Sequence, residues 1–201
     1  MRSRAAAAIL FRAGFKEVYS MQGGIKAWNG FVAKGVPEAG MVYFEPAKKT
    51  EELIALAWIL EDGSQKFYSA TAGMLEDRET VNFLQKLSAD EEGHKNILFN
   101  IHKELAGLKT DPGFPGSLIP FDPGIKYVEG GVPLTEALAW VKGKDLKEIL
   151  ELAISLEINS EDLYIKMGRK VEDQGAKQVF KVLSVQEKHH LERLVRLFEK
   201  K

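Results

Sequence analysis

The sequence predicts a mainly α-helical protein: a four-helix bundle of two antiparallel hairpins joined by a long crossover, preceded by a small α-β-α segment. Helical periodicity dominates from Thr50 onward, whereas prolines and glycines interrupt it over residues 107–133. The stretches on either side of that interruption also repeat each other at an offset of 96 residues. We therefore divide the chain into residues 1–40, a linker at 41–49 and the bundle at 50–201.

Residues 1–40 predict a helix, a short strand and a second helix, at about 3–13, 17–20 and 25–33. A single strand with two helices cannot pair its own edges or bury both of its faces. We therefore expect this segment to pack on another copy of the chain. The protein is accordingly expected to be a homo-oligomer, with a dimer as the simplest form.

The bundle is predicted to contain four long helices, at about 50–74, 77–106, 145–170 and from 173 almost to the end of the chain. Each begins at a residue type that caps helices well. The predicted N-caps are Thr50, Asp77, Asp145 and Asp173. A short helix at 134–141 ends the crossover. Two hairpins joined by one long connection form a bundle of the ferritin-like type.

The internal repeat carries a pattern of metal ligands. Glu91 and His94 form a Glu-x-x-His motif, and Glu187 and His190 form the same motif 96 residues later. Residues three apart lie on one face of a helix, so each glutamate and its histidine can bind the same ion. One such motif is a weak signal, but two in register within a repeat are specific.

Two further glutamates precede these motifs by equal intervals. Glu61 lies 30 residues before Glu91, and Glu157 lies 30 residues before Glu187. With hairpin turns near 75 and 171, and a rise of about 1.5 Å per residue, each pair stands at the same height in the bundle. The sequence therefore predicts six metal ligands at one level of the core: Glu61, Glu91, His94, Glu157, Glu187 and His190.

Four ionised carboxylates would be very costly in an apolar bundle without cations. Two divalent cations would neutralise them, and mixed oxygen and nitrogen ligands suit iron or manganese. This ligand set is the one found in di-iron and di-manganese bundle proteins.

Other polar residues are predicted to play different parts. Tyr68 and Tyr164 each lie seven residues after a ligand glutamate, and we expect each to hydrogen-bond a ligand carboxylate on a neighbouring helix. Glu92 and His189 are expected to face solvent. His102 is expected to be a packed or partly exposed histidine rather than a ligand.

Composition restricts the class of protein. The chain has 28 Lys and Arg against 29 Asp and Glu, a balance that argues against nucleic-acid binding. It has no cysteine, which excludes thiolate metal sites and cysteine nucleophiles and fits a reducing compartment. No apolar run reaches the roughly 18 residues that a membrane span needs. We therefore expect a cytoplasmic protein without nucleic-acid or membrane partners.

Residues 50–201 resemble the rubrerythrin branch of the ferritin-like superfamily. The resemblance is carried by LEDGSQKFY (60–68), DEEGH (90–94), LEINSEDLY (156–164) and QEKHH (186–190). It implies a centre of two non-haem iron ions, held by the six predicted ligands, that reacts with peroxide or oxygen. Manganese and zinc are alternative occupants of such a site.

The chain departs from rubrerythrins in two ways. Those proteins append a cysteine-ligated rubredoxin domain, whereas this chain has no cysteine, so we expect an external electron donor such as a rubredoxin-like protein. They also carry a carboxylate three residues after the glutamate of the third helix, where this chain has Ser160. Two alternatives to an oxidoreductase stay open: iron binding with ferroxidase activity, and a structural protein in which metal only holds the bundle together.

Residues 2–39 resemble the C-terminal part of a rhodanese domain, through RSRAAAAILFRAGFKEVYSMQGGIKAW and a terminal GVP. In that family the catalytic cysteine begins the loop that ends in Arg-Ser. Arg2 and Ser3 match that dipeptide, but the cysteine is not in this chain. The resemblance therefore implies a truncated rhodanese fragment, from which we expect no sulfurtransferase activity.

Overall fold

The structure, a computed structural model, describes Gly14 and residues 49–107, 111–119 and 126–201. The helices are α1 (Thr50–Ala72), α2 (Arg78–Leu105), α3 (Leu134–Val141), α4 (Leu146–Lys170) and α5 (Gln174–Glu199). Two short strands, β1 (Tyr127–Val128) and β2 (Val132–Pro133), form an antiparallel hairpin between α2 and α3. The described part is mainly helical, as predicted. The elements predicted at 3–13, 17–20 and 25–33 lie outside the described residues, as does the predicted linker at 41–49 except for Lys49.

Aspartate caps explain where three of the long helices begin. The carboxylates of Asp77, Asp145 and Asp173 each accept a hydrogen bond from the third backbone N–H of the following helix, at 2.9, 2.8 and 2.7 Å. This contact satisfies one of the N–H groups that a helix start leaves without a partner. The three predicted aspartate caps are therefore confirmed.

The predicted cap of the first helix is wrong. Thr50 is the first helical residue of α1, and Lys49 is the N-cap. The backbone N–H of Lys49 donates to the Glu52 carboxylate at 3.1 Å, so a glutamate rather than a threonine hydroxyl supplies the side-chain contact. The helix also ends at Ala72, two residues before the expected end.

The long helices form two antiparallel hairpins, α1 with α2 and α4 with α5. Their inner faces build two apolar clusters, each with residues from all four helices. The first includes Leu56, Leu98, Leu163 and Phe180, and the second includes Phe67, Leu87, Leu150 and Leu194. On every long helix the predicted metal ligands fall between its residues of the two clusters. A polar layer therefore lies between two apolar ones.

The crossover packs on α1, which the sequence did not predict. A Cβ atom at Gly63 would overlap the carbonyl oxygen of Tyr127, so β1 approaches the backbone of α1 as closely as only a glycine allows. Because the crossover covers a second face of α1, this helix buries more than one stripe of side chains. Every residue of 53–57 is buried. Among the described residues, no helix is both long and apolar enough to cross a membrane.

Candidate metal centre

The six predicted ligands come together in the polar layer of the bundle. Glu61 lies on α1 and Glu157 on α4, whereas the two Glu-x-x-His motifs lie on α2 and α5. All six are buried, and none exposes more than 5% of its surface. The prediction that they meet at one level is confirmed; that they bind metal stays a prediction.

The first group of ligands surrounds His94. Its Nδ1 atom lies 2.9 Å from Glu91 Oε2, 2.9 Å from Glu187 Oε1 and 3.3 Å from Glu61 Oε2. One donor atom from each of these four residues lies within 4.8 Å of all the others. Three oxygens and one nitrogen therefore converge from three helices on a volume that one cation could occupy.

The second group mirrors the first around His190. Its Nδ1 atom lies 3.3 Å from Glu187 Oε2, 3.4 Å from Glu157 Oε2 and 3.7 Å from Glu91 Oε1. Glu91 and Glu187 belong to both groups, each offering one oxygen to one side and its other oxygen to the other. Two carboxylates placed in this way could each bind both ions of a pair. Glu61 and Glu157 each belong to one group and would be terminal ligands.

Two tyrosines cross-link the hairpins at this layer. The hydroxyl of Tyr68 on α1 donates to Glu157 on α4, and the hydroxyl of Tyr164 on α4 donates to Glu61 on α1. The reciprocal bonds follow from the 96-residue repeat, because equivalent residues of the two hairpins face each other. Burial, together with the charges of Glu157 and Glu91, raises the pKa of Tyr68 well above its usual value, so this phenol keeps its proton for the bond.

Without metal, the layer holds protons. Burial raises the pKa of Glu61, and the neighbouring charge of Glu91 adds to the rise. The pKa of Glu157 is raised in the same way, by burial and then by Glu187. Burial alone would lower the pKa of His190, but its contacts with Glu157 and Glu187 outweigh that effect and raise it to about 10. Each of these groups must lose its proton to bind a cation through the atom that carries it.

The pKa values of His94 and Glu187 are shifted by contacts between imidazoles and carboxylates. Burial alone would lower the pKa of His94, but the charge of Glu61 and the contact with Glu187 raise it. Glu187 lies beside both imidazoles, and although burial opposes its ionisation, these contacts lower its pKa. These contacts hold Glu187 in its ionised form.

Several donor atoms of the layer have no hydrogen-bond partner of acceptable geometry. They are Glu91 Oε2, Glu157 Oε2, both carboxylate oxygens of Glu187, and His190 Nδ1. Buried polar atoms without partners are costly unless something else binds them. These atoms are the ones that face the interior of the two ligand groups, and their mixture of oxygen and nitrogen suits iron or manganese. The residues present therefore fit a pair of transition-metal ions.

The outer nitrogen of His190 has its own partner. Its Nε2 atom lies 3.4 Å from the Asp90 carboxylate, which also lies 3.7 Å from Arg193. A carboxylate on the outer nitrogen favours the tautomer whose Nδ1 lone pair faces the core. Glu92 and His189 are exposed, as predicted. His102 is buried and its ring stacks on Phe114 at 4.2 Å, which agrees with a packed histidine.

Sequence reasoning missed one acidic residue near this layer. Glu129, in the turn between β1 and β2, is only 2% exposed. It lies outside the 96-residue repeat, so no partner position points to it. The available signal was Gly63, a glycine inside a helix where the equivalent position of the second hairpin has Asn159. Such a glycine indicates that another backbone approaches closely.

Residues 128–200 match the sequence model of the Rubrerythrin family. The match supports a ferritin-like di-iron family, and it includes Glu157, Glu187 and His190 but not the ligands of the first hairpin. A hypothetical protein from Pyrococcus furiosus has a similar fold, with a TM-score of 0.58 and 20% identity over 82% of this chain and 95% of the other. None of the curated proteins matches. The resemblance of residues 2–39 to a rhodanese domain stays a prediction.

Proposed function

We propose that this protein is a di-iron oxidoreductase that reduces peroxide or oxygen at a carboxylate-bridged centre, using electrons from an external donor. The observation that carries the proposal is that two buried ligand groups share Glu91 and Glu187. The family match over residues 128–200 supports it. Two ferrous ions, when bound, would supply both electrons that convert one hydrogen peroxide and two protons into two water molecules.

The chain itself holds the ligands and excludes bulk water. Tyr68 and Tyr164 orient the terminal carboxylates Glu157 and Glu61 by hydrogen bonds across the bundle. The apolar clusters above and below the layer keep the site at low dielectric, which strengthens every charge interaction inside it. When ions are bound, Glu61 and Glu157 would be terminal ligands held by the tyrosines, and Glu91 and Glu187 would be the carboxylates shared by the two ions.

Stopped-flow oxidation of the iron-loaded, fully reduced protein tests the peroxidase function. We expect hydrogen peroxide to oxidise it much faster than it oxidises the same concentration of free ferrous iron. Glu187→Gln removes a shared carboxylate and should lose the acceleration. Glu151→Gln, an exposed residue of the same bundle, should keep it. Oxidation of the wild type no faster than that of free iron would contradict the proposal.

The absence of cysteine favours a second candidate function, iron oxidation without peroxide turnover. A chain that lacks a thiolate-ligated iron relay has no electron source of its own. Ferroxidase activity would show as more than two ferric ions accumulated per chain and no dependence on a reductant. A structural metal site, the third reading, would lower stability on metal removal and show no reaction of the reduced protein with oxygen or peroxide.

A further inference from the structure

Glu129 is a further buried carboxylate, in addition to the four predicted ligand glutamates. It lies in the turn of the β1–β2 hairpin and is 2% exposed. Among the described residues, no lysine, arginine or histidine lies within 4.0 Å of its carboxylate. A buried carboxylate without a cation is very costly in its ionised form, so it either keeps its proton or binds a cation other than the described side chains.

The turn places Glu129 on the α1–α4 side of the metal layer. Its backbone N–H donates to the hydroxyl of Ser64 at 3.3 Å, three residues after Glu61 on α1. The next residue, Gly130, lies against Asn159, two residues after Glu157 on α4, where the Asn159 side chain fills the space of a Cβ. Both histidine ligands come from α2 and α5. Glu129 therefore enters between the two helices that carry the terminal glutamates.

The carboxyl of Glu129 feels the charges of the ligand layer. Burial raises the pKa of its carboxyl, and the next largest contributions are the charges of Glu91, Glu187 and Glu157. Glu129 in turn contributes to the raised pKa of Tyr68. The three carboxylates that act on Glu129 are all predicted ligands, so a change of charge on the bound ions would act on Glu129 as well.

The charges of the ligand set show when a fifth carboxylate would matter. Four ionised glutamates with neutral histidines balance two ferrous ions, which carry four positive charges. Two ferric ions carry six, which leaves two positive charges without counter-ions in a buried site. A fifth carboxylate close to the centre reduces that excess to one and leaves one excess negative charge in the reduced state.

We propose that Glu129, supplied by the crossover and inserted between α1 and α4, is an additional carboxylate of the dimetal centre that stabilises its oxidised state. The inference rests on the proposed function, since it requires a redox-active pair of ions. It assigns to the β1–β2 hairpin a role in setting the reduction potential. The hairpin is thus more than a cover for α1.

An anaerobic reductive titration of the iron-loaded full chain tests this proposal, with the absorption of the oxidised centre as the signal. Glu129→Gln keeps the shape and removes the charge, so it should favour reduction. We expect the equilibrium constant for adding one electron to rise at least tenfold, which is a shift of 59 mV. The matched control is Glu136→Gln, which removes the same charge from an exposed position on the same crossover. It should shift the constant much less, because solvent screens that charge.

Two outcomes would overturn the role of Glu129. One is a Glu129→Gln protein with two irons and a potential equal to that of the wild type. Glu129→Asp keeps the charge, so its equilibrium constant for adding one electron should remain within about threefold of the wild type. A tenfold change in that constant is the other outcome. Glu129→Asp also tests the proposal if Glu129→Gln does not fold. A wild type that binds no pair of redox-active ions contradicts the proposed function instead, so the two failures are distinguishable.

Discussion

Replacing Gly63 by alanine tests how closely the crossover packs on the first helix. The added Cβ would overlap the carbonyl oxygen of Tyr127, and the atoms on both sides belong to backbone rather than to side chains that can rotate away. Overpacking of this kind costs about 3 kcal/mol at the upper end of its range. Alanine is a better helix former than glycine by about 1 kcal/mol. We therefore expect a net loss of about 2 kcal/mol in the free energy of unfolding.

Gly93 provides the matched control, because it is also inside a long helix but exposed. A Cβ at Gly93 would meet nothing within 4 Å. Gly93→Ala should therefore gain about 1 kcal/mol from helix propensity alone. For a domain of this size, a change of 1 kcal/mol in the free energy of unfolding shifts Tm by about 2–4 °C. Thermal unfolding of the metal-free proteins should therefore show a Tm about 4–8 °C lower for Gly63→Ala. For Gly93→Ala the Tm should be about 2–4 °C higher. A Gly63→Ala protein as stable as the wild type would refute the close approach of β1 to α1.

Two further predictions concern the ligand layer. Tyr68→Phe and Tyr164→Phe each remove a hydroxyl that donates to a terminal glutamate. Metal affinity, measured by competition with a chelator, should therefore fall by about 10–100-fold in both variants. A loss in only one of them would contradict the reciprocal bonds. Metal binding should also release protons, and metal affinity should rise between pH 6 and pH 8. The pKa of His190 is about 10 in the metal-free protein, so its imidazole is protonated over this range and must become neutral to bind metal. Calorimetry in buffers of different ionisation enthalpy measures this release, and zero protons released at pH 7 would contradict the protonated layer.

The bundle and its ligand layer could be predicted from the sequence because both obey helical geometry. Glu61 and Glu157 stand at fixed heights relative to the Glu-x-x-His motifs, since each residue of a helix adds a constant rise. The repeat supplied a second, independent copy of every ligand position. Aspartate caps at three helix starts could be predicted for a similar local reason, as each satisfies the N–H groups of its own helix.

The crossover could not be predicted in the same way. Its strands contain two residues each, which is too short for an alternating pattern to be recognised. The burial of Glu129 depends on where the hairpin packs, and tertiary contacts with Ser64 and Asn159 decide that. The start of α1 differed from the prediction because the Glu52 carboxylate accepts a hydrogen bond from the Lys49 N–H, which makes Lys49 rather than Thr50 the N-cap.

Elemental analysis of purified protein tests most directly whether the six buried donors bind a pair of ions. We expect two iron or manganese ions per chain in the wild type, and one or none in Glu187→Ala, which loses the carboxylate shared by both ligand groups. Glu151→Ala, exposed on α4, should keep two. A wild type without bound metal after reconstitution, or a Glu187→Ala protein that still binds two ions per chain, would contradict the assignment.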